Sequence, residues 1–380
     1  MPLPLYAAQP PPSNVESGFV DTVCTWPGDS RLGFFDLAAD DLSAGLSSMG
    51  QPAFRAAQAL EWVYARGVTG FAAMSNLPKD LRAGLDAQLP IFRSTVIREQ
   101  RASDGTVKRL LRWPDGATSE CVLIPDGLRR TACISTQVGC PVGCTFCASG
   151  LGGLQRQLSA GEIVEQAMRT RQLCDDDHRL SNVVFMGLGE PLANYAATVR
   201  AVRTINAPWG MGIGARKITV STVGLPTQMR RLADERLQIT LALSLHAPAD
   251  ELRRDLIPWA QNVSIAELVD AARYYFDRSG REVTLEYILL GGVNDQADHA
   301  RALAAVAKRM RSNVNLILYN PVIDLPFERP TDDQAGRFLD LLRNRGVNTH
   351  LRRSRGLDID AACGQLRRRE AAALSIGASQ

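Results

Sequence analysis

Residues 131–153 read TACISTQVGCPVGCTFCASGLGG, and the fold is decided by how this stretch is parsed. Its start, Ala132–Thr136, has the apolar and β-branched character of a strand. Its continuation places Cys140, Cys144 and Cys147 at C-x3-C-x2-C spacing in a loop that also holds Gly139, Gly143, Gly150, Gly152 and Gly153. The same rhythm, a strand followed by unusual residues, recurs downstream. Strand-like runs lie at Asn182–Met186, Lys217–Ser221, Ile239–Ser244, Val283–Leu289, Val314–Leu318 and Val347–Arg352. Helical runs separate them at 159–173, 194–206, 226–236, 249–256, 265–278, 296–311 and 332–345. Such alternation predicts an α/β fold with a parallel sheet, either doubly wound or a closed or partial barrel. No internal repeat accompanies it, which argues against a solenoid.

The polar residues that an apolar strand does not need fall just after the strands. They are Gly187-Leu188-Gly189-Glu190-Pro191, Ser221-Thr222-Val223-Gly224, Ser244-Leu245-His246 and Tyr319-Asn320-Pro321. After the last strand comes Arg353-Ser354-Arg355-Gly356, leading to Cys363. In a parallel barrel all of these converge at the C-terminal mouth, where such barrels carry their active sites.

Upstream, Gln51–Leu89 shows helical spacing, with Phe54, Ala57, Leu60, Trp62 and Val63 followed by Phe71, Met74, Leu77, Leu81 and Leu85. Segments at Ile91–Glu99, Val107–Trp113 and Ser119–Pro125, broken by Asp104-Gly105 and Asp115-Gly116, predict a β-meander. The expected organisation is a mobile Pro-rich extension (1–48), a small helical domain (49–90) and the β-meander (91–128). A barrel (129–366) and a basic tail (367–380) complete it. The chain has 380 residues, 45% hydrophobic and 22% charged, with 43 basic against 40 acidic side chains. That composition excludes wholesale disorder and a histone-like polycation. No apolar run approaches the ~20 residues that span a bilayer, and the N-terminus lacks a signal peptide's basic start. The expectation is a cytoplasmic protein that uses no membrane and keeps its eight cysteines as thiols or ligands.

Three thiolates on one compact loop suit a 4Fe-4S cluster with one iron left open. The alternative is a structural zinc site with Cys133 or Cys121 as fourth ligand, although zinc generally takes four closed ligands in paired knuckles and one knuckle is present here. The other residues have plainer readings when taken singly. Gly189-Glu190-Pro191 is a turn, and His246 a satisfied buried histidine. Cys133 and Cys363 are small hydrophobes, and Glu120, midway along a strand, is solvated.

An aromatic residue before the last cysteine of C-x3-C-x2-C is the signature of the radical S-adenosylmethionine (SAM) superfamily. The stretches CISTQVGCPVGCTFCASG, NVVFMGLGEPLANY, ITVSTVGLP, LALSLHAP, VNLILYNPV and RRSRGLDIDAACGQLR resemble the RlmN/Cfr family of radical SAM RNA methyltransferases. The resemblance runs from Leu60-Glu61-Trp62-Val63-Tyr64 to the C-terminus. It implies a radical SAM partial (βα) barrel with an N-terminal helical accessory domain and a short β extension. It further implies that Cys140, Cys144 and Cys147 hold the cluster. Gly189, Glu190, Ser221, Ser244, Leu245, His246 and Asn320 would bind SAM, two molecules of which are used per turnover. Cys363 would carry the methyl group, Cys133 would form a transient disulfide with it, and Glu120 would be the base. The implied substrates are 23S ribosomal RNA and transfer RNA, methylated on carbon 2 of adenosine, with carbon 8 the alternative within the family. An external one-electron reductant such as flavodoxin would be needed, and the chain is expected to act as a monomer. A zinc-dependent RNA-binding protein without activity is the rival from another class.

Basic residues fit an RNA partner. Arg343–Arg369 holds eight Arg against two Asp, and Arg93–Arg112 holds five Arg and Lys108 against two acids. Arg352, Arg353 and Arg355 are expected to contact phosphates beside the mouth.

Overall fold

The computed structural model describes residues 26–366 apart from 28, 30, 176 and 324. Most of the expected Pro-rich extension and the whole basic tail at 367–380 lie outside the described residues. Three helices open the fold: α1 (Ala39–Ser48), α2 (Phe54–Leu60) and α3 (Lys79–Gln88). The meander follows as β1 (Thr95–Arg101), β2 (Val107–Arg112) and β3 (Thr118–Asp126), and β4 (Arg129–Cys133) is its last antiparallel strand.

β4 also begins the parallel part of the sheet. A short hairpin, β5 (Gln137–Gly139) with β6 (Leu154–Gln157), then brackets the cysteine loop. From there the chain alternates: α4 (Ala160–Arg171), β7 (Asn182–Phe185), α5 (Tyr195–Asn206), β8 (Ile218–Thr222), α6 (Pro226–Asp234) and β9 (Thr240–Ser244). It continues through α7 (Asp250–Leu256), α8 (Ile265–Ser279), β10 (Val283–Leu289), α9 (Ala297–Ala307), β11 (Ser312–Leu318), α10 (Asp332–Arg343) and β12 (Thr349–Arg352). The main sheet runs β1-β2-β3-β4-β7-β8-β9-β10-β11-β12, parallel from β4 onward. Strands in chain order lie side by side, as a partial barrel with helical crossovers requires. All seven expected barrel strands are present, Val283–Leu289 with the expected bounds and the others shifted by up to three residues at one or both ends. No helix among the described residues is long and apolar enough to cross a membrane.

Local chemistry explains the helix starts. Ser159 and Glu162, Ser264 and Glu267, and Thr331 and Gln334 form capping boxes at α4, α8 and α10, each satisfying two otherwise orphaned N–H groups. α8 stops at Gly280, whose left-handed backbone (φ 68) ends it.

The extension needs correcting at its C-terminal end. Residues 34–48 form a 3-10 turn (Phe34–Asp36) and α1, and Phe34, Phe35, Leu37, Leu42 and Leu46 are all buried. Phe34 packs edge-on against Phe71, with ring centres 6.1 Å apart. Sequence reading stopped short because Asp, Ser and Gly dilute the i, i+4 spacing of Leu42 and Leu46. The helical unit thus begins before residue 49. It is fastened to the barrel through Asp36, which is 7% exposed. Asp36 Oδ1 accepts from Ser159 Oγ (2.7 Å) and Gly161 N (2.9 Å), and Oδ2 accepts from Gly33 N (3.0 Å). Gly161 sits where any Cβ would lie 2.4 Å from that carboxylate.

Candidate active site

The C-terminal ends of the barrel strands surround a cleft. Its walls include Cys140, Cys144 and Cys147 from the cysteine loop, Gly189 and Glu190 after β7, Ser221, Ser244 and His246, and finally Arg352 and Cys363. A smaller cavity adjoins it, lined by Cys133, Asn320, Arg352 and Cys363 among others. Cys363 thus faces both spaces. The structure brings together the three cysteines expected to hold a cluster, most of the expected SAM residues and both cysteines of the expected disulfide.

The cysteine loop is held from two sides. Cys140 N donates to Gly153 O (3.1 Å) across the hairpin, and Thr145 N donates to Leu256 O (3.0 Å) at the end of α7. Gly139 has φ 81, and a Cβ there would lie 2.0 Å from Gly153 O, so the hairpin closes only around glycine. Burial pushes the Cys140 thiol up to about 12, and it raises Cys144 and Cys147 as well. Protein alone therefore holds three neutral thiols, and binding iron must release their protons. Among the described residues no three His, Cys, Asp or Glu side chains converge on a single ion position. Cys121, one suggested fourth zinc ligand, is buried in the main core and bonds toward Thr170 on α4. Cys133, the other, faces Cys363 instead. The donor set fits a cluster.

The residues expected to bind SAM form a polar wall beside the loop. Gly189 has φ 103, and a Cβ there would lie 2.6 Å from Gln137 Cβ. Glu190 is 3% exposed. Its Oε1 accepts from Leu192 N (2.9 Å) and its Oε2 from Val223 N (2.7 Å), and burial pushes its carboxyl up to about 7. Ser221 and Ser244 face each other with hydroxyl oxygens 3.3 Å apart. His246 takes a left-handed backbone (φ 57), Ile288 N donates to its Nδ1 (3.1 Å), and its ring lies edge-on to Phe146. Burial, then the Arg253 charge, lowers it to about 3. His246 is consequently a neutral ring that accepts at Nδ1 and is left with Nε2–H to donate. Leu245 differs from its neighbours: its side chain is buried in the main core, and its N–H donates to Glu286 O (3.1 Å). Asn320 Nδ2 donates to Cys363 O (3.1 Å), and its Oδ1 is buried without a partner among the described residues. A buried amide oxygen awaiting a donor beside the cleft is what a bound polar cofactor would satisfy.

Three features escaped the sequence. Glu286 is a buried carboxylate on β10 at the cleft wall, raised by burial. Asn315 Nδ2 donates to its Oε1 (3.0 Å), Arg352 Nη1 lies 3.7 Å from its Oε2, and that Oε2 accepts no hydrogen bond. One acid within the apolar run Val283–Leu289 was the available signal. Arg253 is 1% exposed, with Nε and Nη1 unsatisfied, and it donates to Val223 O near Cys144. Arg352 turns inward to Glu286 and to Met186 Sδ (3.8 Å), and neighbouring Cys363 is the main influence raising its pKa. Arg355 is engaged too, its Nη2 donating to Asp126 Oδ1 (3.1 Å).

Glu120 also departs from its solvated reading. It lies on β3 at 6% exposure, and Lys108 Nζ is 3.3 Å from its Oε1. The Cys363 segment crosses close by. Ala148 N donates to Gly364 O (2.8 Å), and Ser149 Oγ donates to Leu366 O (2.9 Å), so the cluster loop and the Cys363 loop are tied directly.

Known proteins resemble this chain over most of its length. Residues 134–304 match the model of the radical SAM superfamily, and residues 32–91 match that of the ribosomal RNA large subunit methyltransferase N-terminal domain. The chain is 44% identical to the probable dual-specificity RNA methyltransferase RlmN of Rhodopirellula baltica over 348 residues, which is 92% of this chain and 93% of that one. It is 48% identical to the namesake in Symbiobacterium thermophilum over 347 residues, covering 90% and 91%. The crystal structure of a radical SAM methyltransferase from Sphaerobacter thermophilus superposes with a TM-score of 0.86 at 45% identity, covering 88% of this chain and 99% of that one.

Proposed function

The chain belongs to the RlmN family of radical SAM RNA methyltransferases, whose cofactors are a 4Fe-4S cluster and SAM, and from that premise we propose that it methylates carbon 2 of adenosine in 23S ribosomal RNA and in transfer RNA. The observation that carries the reading is Cys363, which faces the cysteine-loop cleft on one side and Cys133 on the other.

Carbon 2 of adenine lies between two ring nitrogens and is electron-poor, so it does not attack a methyl sulfonium directly. A protein thiolate has to carry the methyl group first. When bound, the cluster and SAM supply a methyl group to a thiolate and, after one-electron reduction, the means to remove a hydrogen atom. Cys363 accepts the methyl group, and once that group has lost a hydrogen atom its carbon bonds to the adenine, giving a covalent protein–RNA adduct that surrenders one electron. Arg352 stands beside Cys363 in the walls of both spaces. Glu120 takes the ring proton. Cys133 then attacks the Cys363 sulfur, so that an S–S bond forms as the S–C bond breaks, and the departing carbon takes up a proton to leave as the methyl group of the RNA. Burial and the nearby Cys363 raise the Cys133 thiol far above its ordinary value, so it waits protonated. A reducing cytosol resets the disulfide, and a flavodoxin-type donor supplies the electron.

The test is mass spectrometry of nucleosides from ribosomal and transfer RNA exposed to the reconstituted protein, together with two variants. The expected product is 2-methyladenosine in both RNAs. Cys363→Ala should give neither product nor adduct, while Cys133→Ala should accumulate an adduct that survives denaturation and disappears on nuclease digestion. Appearance of 8-methyladenosine would move the chain to the alternative chemistry, and methylation by Cys363→Ala would overturn the carrier role.

A further inference from the structure

Lys108 is a buried lysine that the reaction just described leaves unused. It lies on β2, opposite Val122 in the register of β3, while Glu120 is two residues earlier on β3. The two side chains therefore share a face as diagonal neighbours. Their side chains are 9% and 8% exposed, with Nζ 3.3 Å from Glu120 Oε1. The same ammonium donates to Asp360 O at 3.1 Å. Asp360 has a left-handed backbone (φ 51) and stands three residues before Cys363.

The turn between β1 and β2 grips the same loop. Ser103 N donates to Asp358 Oδ2 (2.9 Å), and Gly356 N donates to Asp104 Oδ2 (2.9 Å). Three contacts thus run from this hairpin to residues 356–360, and the one nearest Cys363 is made by the ammonium that also meets Glu120.

Stability alone does not account for a buried ion pair here. Two charges taken out of water recover little net energy, and replacing such a pair with apolar residues is often neutral. A bifurcated ammonium offers something that an apolar pair cannot, namely a fixed distance between two groups on different segments.

We infer that Lys108 is a positioning residue, whose ammonium sets the Glu120 carboxylate and the Cys363 loop in one register so that base and carrier address the same adenine carbon. The inference rests on the roles given above to Glu120 and Cys363. It implies that the meander serves as the clasp of the carrier loop rather than as an appendage of the barrel.

The experiment uses the full chain with its cluster reconstituted, and compares Lys108→Gln, Lys108→Arg and Glu120→Gln with the unaltered protein. Intact mass reports Cys363 methylation, denaturing gels report the protein–RNA adduct, and nucleoside analysis reports product. Lys108→Gln retains N–H donors, on a side chain one bond shorter, but loses the charge toward Glu120. It is expected to methylate Cys363 and to add to RNA, yet to raise the adduct-to-product ratio at least tenfold. Lys108→Arg should bring that ratio most of the way back. A merely structural lysine predicts that Cys363 methylation, adduct and product fall together in Lys108→Gln, and that outcome overturns the inference. If Lys108→Gln fails to fold, Lys108→Arg decides alone, since an unchanged ratio supports the retained charge and an adduct-to-product ratio as high as that of Glu120→Gln overturns it. If Glu120→Gln stalls at the adduct while Lys108→Gln turns over normally, Lys108 falls and the base reading stands. If Glu120→Gln itself turns over normally, the base reading fails, and the inference fails with it.

Discussion

Glu190 offers a titration that can be read from outside. Its carboxyl is 3% exposed and pushed from 4.5 up to about 7 by burial, despite two backbone N–H donors that favour the charged form. The amino group of SAM presents N–H donors, so it is best received by the ionised carboxylate. Ionisation is nearly complete at about pH 8 and falls to roughly a tenth at about pH 6, which predicts about a tenfold loss of SAM affinity over that range. Folding runs in the opposite sense. An acid with a raised folded pKa stabilises the fold below its unfolded value, and that stability is lost as pH rises from 4.5 to about 7. The difference amounts to about 3 kcal/mol at 1.36 kcal/mol per unit. SAM should therefore raise the melting temperature more at the alkaline end, where it offsets a buried charge. The assay is equilibrium dialysis of labelled SAM against reconstituted protein, with Glu190→Gln in parallel. The wild-type curve should be steeper than the variant's by about that tenfold factor. Equal slopes would refute the reasoning, because the pH dependence would then belong to groups other than Glu190.

Anaerobically reconstituted protein should hold about four irons and four sulfides per chain, and alanine at any one of Cys140, Cys144 or Cys147 should lower that content and abolish SAM cleavage. Stoichiometric zinc without iron in the unaltered protein would sink this expectation. Gly356→Ala should loosen the loop that leads to Cys363. Gly356 has φ 66, and an added Cβ would lie 2.8 Å from Thr106 Cγ2 and 2.9 Å from Ala361 Cβ, while the left-handed backbone itself costs a non-glycine residue about 1–2 kcal/mol. Faster hydrogen exchange across 357–363 is the readout, and unchanged protection would contradict it. Charge reversal at Arg353 and Arg355 should weaken RNA binding and flatten its salt dependence by about 0.9 log unit per lost contact on duplex, or about 0.7 on single strands. An unchanged slope would mark these arginines as solvated surface.

Alternation of strand and helix was legible because buried parallel strands are apolar runs and their crossovers are amphipathic. The cluster loop was legible because three cysteines at short spacing have few other uses. What escaped depended on contacts far apart in the chain. Glu120 reads as a solvated strand residue until Lys108 is placed diagonally across from it. Arg352 and Arg353 are neighbours in one basic run, yet strand pleating sends Arg352 inward to Glu286. The hairpin of Gln137–Gly139 and Leu154–Gln157 is too short to leave a periodic trace. Residues 34–48 were obscured by composition, since their few apolar side chains are diluted by Asp, Ser and Gly although they are buried.

The fastening at Asp36 bears on how the molecule comes apart. One carboxylate joins the N-terminal helices to the start of α4, and the apolar core runs without a break from Phe34 through Phe71 into the barrel helices. Parts that share a core and a charged latch lose both at once, so thermal denaturation should be a single cooperative transition rather than the two steps that independent modules give. The helical unit therefore belongs to the same melting event as the catalytic barrel, and a defect in either is felt as reduced abundance of the whole chain.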